Sequence, residues 1–160
     1  SFQVRLCGVG ALGRRAVRAV EYTFETGSGK SRKTHYNLQV SFDCPVNWPS
    51  IWLGEQPDVM HRPISQLFGG GGNAATPDAA FNKRWTVSCE NHAMPATLLT
   101  ADIRDLLMQG PKTERWAIAE GWVTCTWRKA GTMKDLRQIA ERSRQMLELA
   151  ERALAEWRSA

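Results

Sequence analysis

The chain has 160 residues, 42% hydrophobic and 23% charged, which suits one globular domain with a sizeable core and excludes a disordered or fibrous chain. No run approaches the roughly 18 consecutive apolar residues of a membrane-spanning helix. The net charge of +5 accumulates in the first forty residues, where Arg5, Arg14, Arg15, Arg18, Lys30, Arg32 and Lys33 face only Glu21 and Glu25, and this favours anionic partners.

The chain begins at Ser1, already in a strand-like alternation of Phe2, Val4 and Leu6, which predicts a piece of a longer protein. Gly8, Gly10 and Gly13 then predict a bend. Val20, Tyr22 and Phe24 alternate with Glu21, Thr23 and Glu25 as a second strand. After Gly27-Ser28-Gly29-Lys30-Ser31, the residues Tyr36, Leu38, Val40 and Phe42 alternate with His35, Asn37, Gln39, Ser41 and Asp43, the cleanest period-two signal in the chain. Pro45, Pro49, Pro57, Pro63 and the glycines at 69–72 interrupt regular structure, with a short strand at Ile51–Leu53 between them and a loop over 69–78. A strand is expected to resume with Phe81, Trp85, Val87 and Cys89.

Thr100 is placed to cap a short helix through Leu107, with Asp102 at its positive end, and Gly110-Pro111 stops it. Arg115–Ala119 and Trp122–Trp127 flank Glu120-Gly121, a two-residue hairpin turn. Thr132 and Asp135 form a capping-box pattern. It opens a long helix whose stripe is Met133, Leu136, Ile139, Ala140, Met146, Leu147, Ala150, Leu154 and Trp157. About 26 residues at 1.5 Å each give about 40 Å, so the far end is expected to project or to pair with another chain.

Two segments imitate nucleotide-binding motifs. Gly8 to Gly13 fits G-x-G-x-x-G after a strand, but the following segment is β-prone and the acid, Asp43, lies too far along. Gly29-Lys30-Ser31 resembles the end of a P-loop, but Phe24 replaces the first glycine and a strand follows where the phosphate-binding helix belongs. Both read as turn chemistry.

The cysteines, Cys7, Cys44, Cys89 and Cys125, are too scattered for a zinc or redox motif and are expected to be reduced thiols in a cytoplasmic setting. His35, His61 and His92 show no metal-ligand spacing. No nucleophile motif or diagnostic carboxylate pair appears, so no catalytic residue, cofactor or metal is expected. Seven tryptophans read mainly as core. Trp48 and Trp52, in the proline-rich segment, are expected to be exposed and to contact a partner.

Gly13-Arg14-Arg15-Ala16-Val17-Arg18-Ala19-Val20-Glu21-Tyr22-Thr23-Phe24-Glu25-Thr26, the Gly/Ser/Lys turn, Thr34-His35-Tyr36, Phe81-Asn82-Lys83-Arg84-Trp85-Thr86-Val87, Leu98-Leu99-Thr100 and Trp116-Ala117-Ile118 resemble the soluble domain of uncharacterised actinobacterial membrane-anchored proteins. Ala101 stands where that pattern usually has proline. The resemblance implies a cytoplasmic domain tethered through hydrophobic anchors outside this sequence, and it carries no catalytic residues.

The expected fold is α+β: a mainly antiparallel sheet of about six to eight strands, with a short helix before the final hairpin, occupies residues 1–131. The long C-terminal helix, 132–160, packs on it. The expected function is a non-enzymatic interaction or regulatory module of a membrane-associated protein. Lys30, Arg32, Lys33, Arg14, Arg15, Trp48 and Trp52 would contact anionic lipid headgroups or a protein partner, and Met146, Leu147, Leu154 and Trp157 would mediate self-association. The alternatives are nucleic-acid binding through the basic strands and tryptophans, with Arg84 among the contacts, and an enzyme with an unrecognised site.

Overall fold

A computed structural model describes residues 2–55, 76–91 and 93–155. The expected loop at 69–75, His61, His92 and Trp157 lie outside the described residues.

The fold is α+β. The strands are β1 (Phe2–Leu12), β2 (Arg15–Thr26), β3 (Lys33–Asp43), β4 (Ile51–Glu55), β5 (Trp85–Cys89), β6 (Glu114–Ala119) and β7 (Trp122–Trp127). The helices are α1 (Ala79–Arg84), α2 (Met94–Leu98), α3 (Ala101–Gln109) and α4 (Met133–Ala153), and a 3-10 turn occupies Gly29–Ser31. The strands form one seven-stranded antiparallel sheet in the order β1-β2-β3-β7-β6-β4-β5.

Register places the whole core on one face. Val40 pairs with Cys125, Cys125 with Trp116, Trp116 with Leu53, and Leu53 with Val87, and all five are buried. Helix α4 lies across β3 and β7 on this face, with α2 and α3 against α4 and with α1 and α2 beside β5. The opposite face carries a cross-strand row of Arg18, Ser41, Thr124, Ala117, Trp52 and Ser88. Ser41 and Thr124 join hydroxyls there at 2.9 Å, and the Arg18 guanidinium stacks on the Trp122 ring, 3.2 Å from its centroid.

The opening strands run longer than alternation alone suggests. β1 continues through Gly8 and Gly10, because pairing with β2 from Phe2↔Phe24 to Leu12↔Arg15 holds it extended. Only Gly13 marks the bend, with φ +63 in a two-residue turn. A register shift between Val4 and Leu6 puts a bulge beside Arg5 in this edge strand. β1 leaves Phe2, Val4, Val9 and Leu12 exposed. No P-loop forms, since the Gly29–Ser31 turn leads into β3.

Residues 81–84 are helical rather than the start of a strand. Asp78 accepts a hydrogen bond from the Phe81 N–H at 3.0 Å, which starts α1 and delays β5 to Trp85. Thr100 caps α3. Glu120 and Gly121, at φ 52 and 77, make the two-residue turn between β6 and β7. Thr132 and Asp135 form the capping box.

α4 has 21 residues, about 32 Å, shorter than the stripe predicts. Leu154 closes it with its N–H on the Ala150 carbonyl and then tucks into the core. Ile139, Met146, Leu147, Ala150 and Leu154 are buried against the chain's own sheet and helices. Met146, Leu147 and Leu154, expected to pair with another chain, are therefore covered within the fold.

Candidate functional site

β3 pairs with β7 only from Leu38 onward, so Lys33–Asn37 run about 16 Å beyond that neighbour. The β2–β3 hairpin therefore extends past the end of β7. Lys30 and Lys33 are exposed at its tip, and Arg32 pairs with Glu25 at 2.8 Å.

The same end of the sheet gathers cations that are remote in sequence. Glu114 pairs with Trp127, and the Arg128 N–H continues the ladder to the Thr113 carbonyl at 3.2 Å. This brings Lys112, Thr113 and Arg128 against His35 and Tyr36, around an open cleft of about 430 Å³. Arg5, from β1, stands over the Tyr36 ring at 5.3 Å. The His35 imidazole is held by the Thr26 hydroxyl at 2.7 Å and stacks on Phe24 at 4.8 Å. Two carboxylates of this end are occupied by other cations: Glu25 by Arg32, and Asp135 by Lys129 at 2.8 Å. Hydrogen bonds from Lys129 and Thr132 hold the Asp135 carboxyl down at about 2.

The remaining expected contact residues lie elsewhere. Arg14 and Arg15 sit at the other end of β2, roughly 36 Å from the hairpin tip. Arg14 is exposed in the turn, while Arg15 forms an ion pair with Glu151 that ties the β1–β2 turn to the last turns of α4. The basic residues of the first forty therefore do not form one patch.

Trp48 is not exposed. A turn with the Trp48 N–H on the Pro45 carbonyl folds the ring back into the core, where it is 5% exposed. Trp52 is half-buried on the open sheet face. Trp85, Trp116 and Trp127 are buried, and Trp122 lies under Arg18. Among the described residues there is thus no exposed tryptophan platform for stacking bases. Arg84, an expected nucleic-acid contact, instead donates to the Met108 and Gly110 carbonyls at 2.7 and 2.8 Å and closes the end of α3.

Among the described residues, no three His, Cys, Asp or Glu side chains gather as metal ligands, and no helix is long and apolar enough to cross a membrane. The cysteines are unpaired. Burial pushes the Cys44 thiol up to about 11, with Asp43 adding to the shift. Burial first, then the Glu114 carboxylate, pushes Cys125 well above the usual range. Both environments favour the protonated thiol over the nucleophilic thiolate.

No protein-family model and no curated protein matches the chain. A solved structure does match: the crystal structure of the mycobacterial trehalose monomycolate transport factor A, TtfA, aligns at TM-score 0.54 and 10% identity, over 95% of this chain and 88% of that one. The two share a fold. At this identity the likeness concerns architecture alone, and it fits the resemblance to actinobacterial proteins at that level.

The sequence singled out Lys30, Arg32 and Lys33 but missed Lys112, Arg128 and Arg5 as their neighbours. Only the β3–β7 and β6–β7 pairings bring these together, and no local pattern announces them.

Proposed function

We propose that this chain is a non-catalytic interaction module of a membrane-associated protein, and that its basic end meets an anionic surface. The observation that carries this reading is the hairpin extending past β7, with Lys30, Arg32 and Lys33 at its tip and Lys112 and Arg128 at its root. Cations near an acidic leaflet contribute about 1 kcal/mol each, so several at one end give useful binding at low salt.

Co-sedimentation with phosphatidylglycerol vesicles tests the reading. Binding is expected to exceed that to phosphatidylcholine, to weaken with salt, and to be lost on reversing Lys30, Arg32 and Lys33 to glutamate. Equal sedimentation with both vesicles, or no effect of the reversal, refutes it.

The β1 edge favours a second reading, a protein partner. Phe2, Val4, Val9 and Leu12 are exposed along a strand that, among the described residues, has no neighbour on its outer edge. Loss of partner binding in a Val9→Lys variant that still binds vesicles would select it.

A further inference from the structure

We propose that the apolar face of the β1–β2 ribbon inserts into the surface of an anionic membrane, so that the ribbon lies lengthwise on the lipid. The inference rests on the anionic-surface reading and adds an orientation and a second contact to it.

Register assigns the face. Val9 pairs with Arg18, Cys7 with Val20, Val4 with Tyr22 and Phe2 with Phe24. Arg18 belongs to the row on the sheet face opposite α4, and alternation puts Val20, Tyr22 and Phe24 there with it. The bulge beside Arg5 makes the β1 row continuous. It absorbs one residue, so Phe2 and Val4 share a face with Cys7 and Val9, which strict alternation forbids. Arg5 itself turns to the Tyr36 ring, 5.3 Å from its centroid. Phe2, Val4 and Val9 are 64%, 53% and 76% exposed, and Cys7 is exposed beside them. The Phe2 and Tyr22 rings lie together, with centroids 5.5 Å apart. The next strand on this face is polar, with His35, Asn37, Gln39 and Ser41 in β3. An exposed apolar patch with a polar rim marks an interaction surface.

Charge selects the occupant. Glu21 and Glu25 alternate onto the other face, where Glu21 accepts from the Gly131 N–H at 3.1 Å and Glu25 holds Arg32. In β1, β2 and β3 the one carboxylate on the face of the patch is Asp43, at the far end of β3. Exposed cations stand at both ends of the ribbon, Arg14 in the β1–β2 turn and Lys30 and Lys33 at the hairpin tip. Apolar side chains set between cations roughly 36 Å apart fit a plane whose apolar layer lies beneath negative headgroups. One partner then accounts for the tip, the Arg14 turn and the apolar row. An end-on contact uses only the tip.

The test uses the full chain and phosphatidylglycerol vesicles. Phe2→Gln combined with Val9→Thr removes apolar surface, leaves the charge unchanged and keeps Thr, a good strand former, in β1. In co-sedimentation it is expected to weaken binding about tenfold. It is also expected to abolish the binding that survives about 0.5 M sodium chloride, because salt screens the cations but not insertion. An environment-sensitive fluorophore on Cys7 reads the same face in the native sequence, since Cys44, Cys89 and Cys125 are buried. Its emission is expected to shift to the blue on vesicles and to be quenched by spin-labelled acyl chains. The same fluorophore on the opposite side of the sheet, in a Cys7→Ser, Gln138→Cys chain, is expected not to respond, because Gln138 is exposed on α4. Undiminished binding of the double variant, a silent Cys7 probe, or equal responses at the two positions overturns the proposal. If reversal of Lys30, Arg32 and Lys33 still releases the vesicles in those cases, the anionic-surface reading stands with an end-on contact. No binding of the native chain to the vesicles overturns both. A Cys7 blue shift that needs no vesicles and grows with protein concentration gives this face to a second copy, and overturns the proposal as well.

Discussion

The ion pair between Glu114 and Arg142 joins β6 to α4 inside the core, and removing either partner tests how the helix is held on the sheet. Glu114 is fully buried, and its carboxylate accepts from Arg142 Nε at 2.6 Å, Arg142 Nη2 at 2.8 Å and Trp127 Nε1 at 3.2 Å. Arg142 Nη2 also donates to the Leu106 carbonyl at 2.7 Å, so the same group fastens α3. Arg142→Met leaves the carboxylate with only Trp127 and the weak Cys125 thiol as donors. Breaking a buried pair in this way costs about 3–5 kcal/mol. That is a large share of the roughly 5–15 kcal/mol that stabilises a typical domain. Glu114→Leu is expected to cost a similar amount, because it leaves the partly buried guanidinium with no counter-charge and only the Leu106 carbonyl, and the Trp127 N–H without its acceptor. The double variant carries neither orphaned charge and is expected to lose well under the sum of the two single losses. Urea denaturation followed by circular dichroism measures all three proteins. A cost below about 1 kcal/mol for Arg142→Met, which is the range of exposed pairs, or simple additivity in the double variant, would refute the reasoning.

The Asp135 carboxyl is held at about 2, below its ordinary 3.8, so its contribution is present above pH 4 and is lost as pH falls toward 2. Thermal melts over that range should therefore fall more steeply for the native chain than for Asp135→Asn. Thiol labelling at neutral pH should modify Cys7, which is exposed, well before the buried Cys44, Cys89 and Cys125; equal rates would contradict the packing. Glu120 adopts φ 52 without being glycine, so Glu120→Gly or Glu120→Asn should raise stability by about 1 kcal/mol in denaturant titration. Gly110→Ala should lower the unfolding midpoint, because a Cβ there meets the Glu114 carboxylate and the Arg142 guanidinium.

Where the sequence made the fold legible, the signal was local and redundant. The alternation of Tyr36 to Asp43, the Glu120-Gly121 turn and the Thr132–Asp135 box each follow from side-chain chemistry within a few residues, and each appears in the structure. Phe81 and Trp85 misled because their spacing of four suits a helix, and the Asp78 cap makes one. The helix at Met94–Leu98 has a Pro near its start but no side-chain cap, so nothing announced it. Of the candidate site, the hairpin-tip charges were legible and the cleft was not. Lys112 and Arg128 are ordinary surface cations until β7 is laid beside β3.

That strand order also bears on biosynthesis. β1, β2 and β3 form a meander near the front of the chain, and β4 and β5 form a pair in the middle, but what joins them is the β6–β7 hairpin, made from residues 114–127. During synthesis, β3 therefore waits with one edge open until most of the chain has emerged, and the two partial sheets have no shared ladder before then. The last hairpin acts as a keystone that arrives late, so the nascent chain is most open to strand-to-strand misassociation until it does.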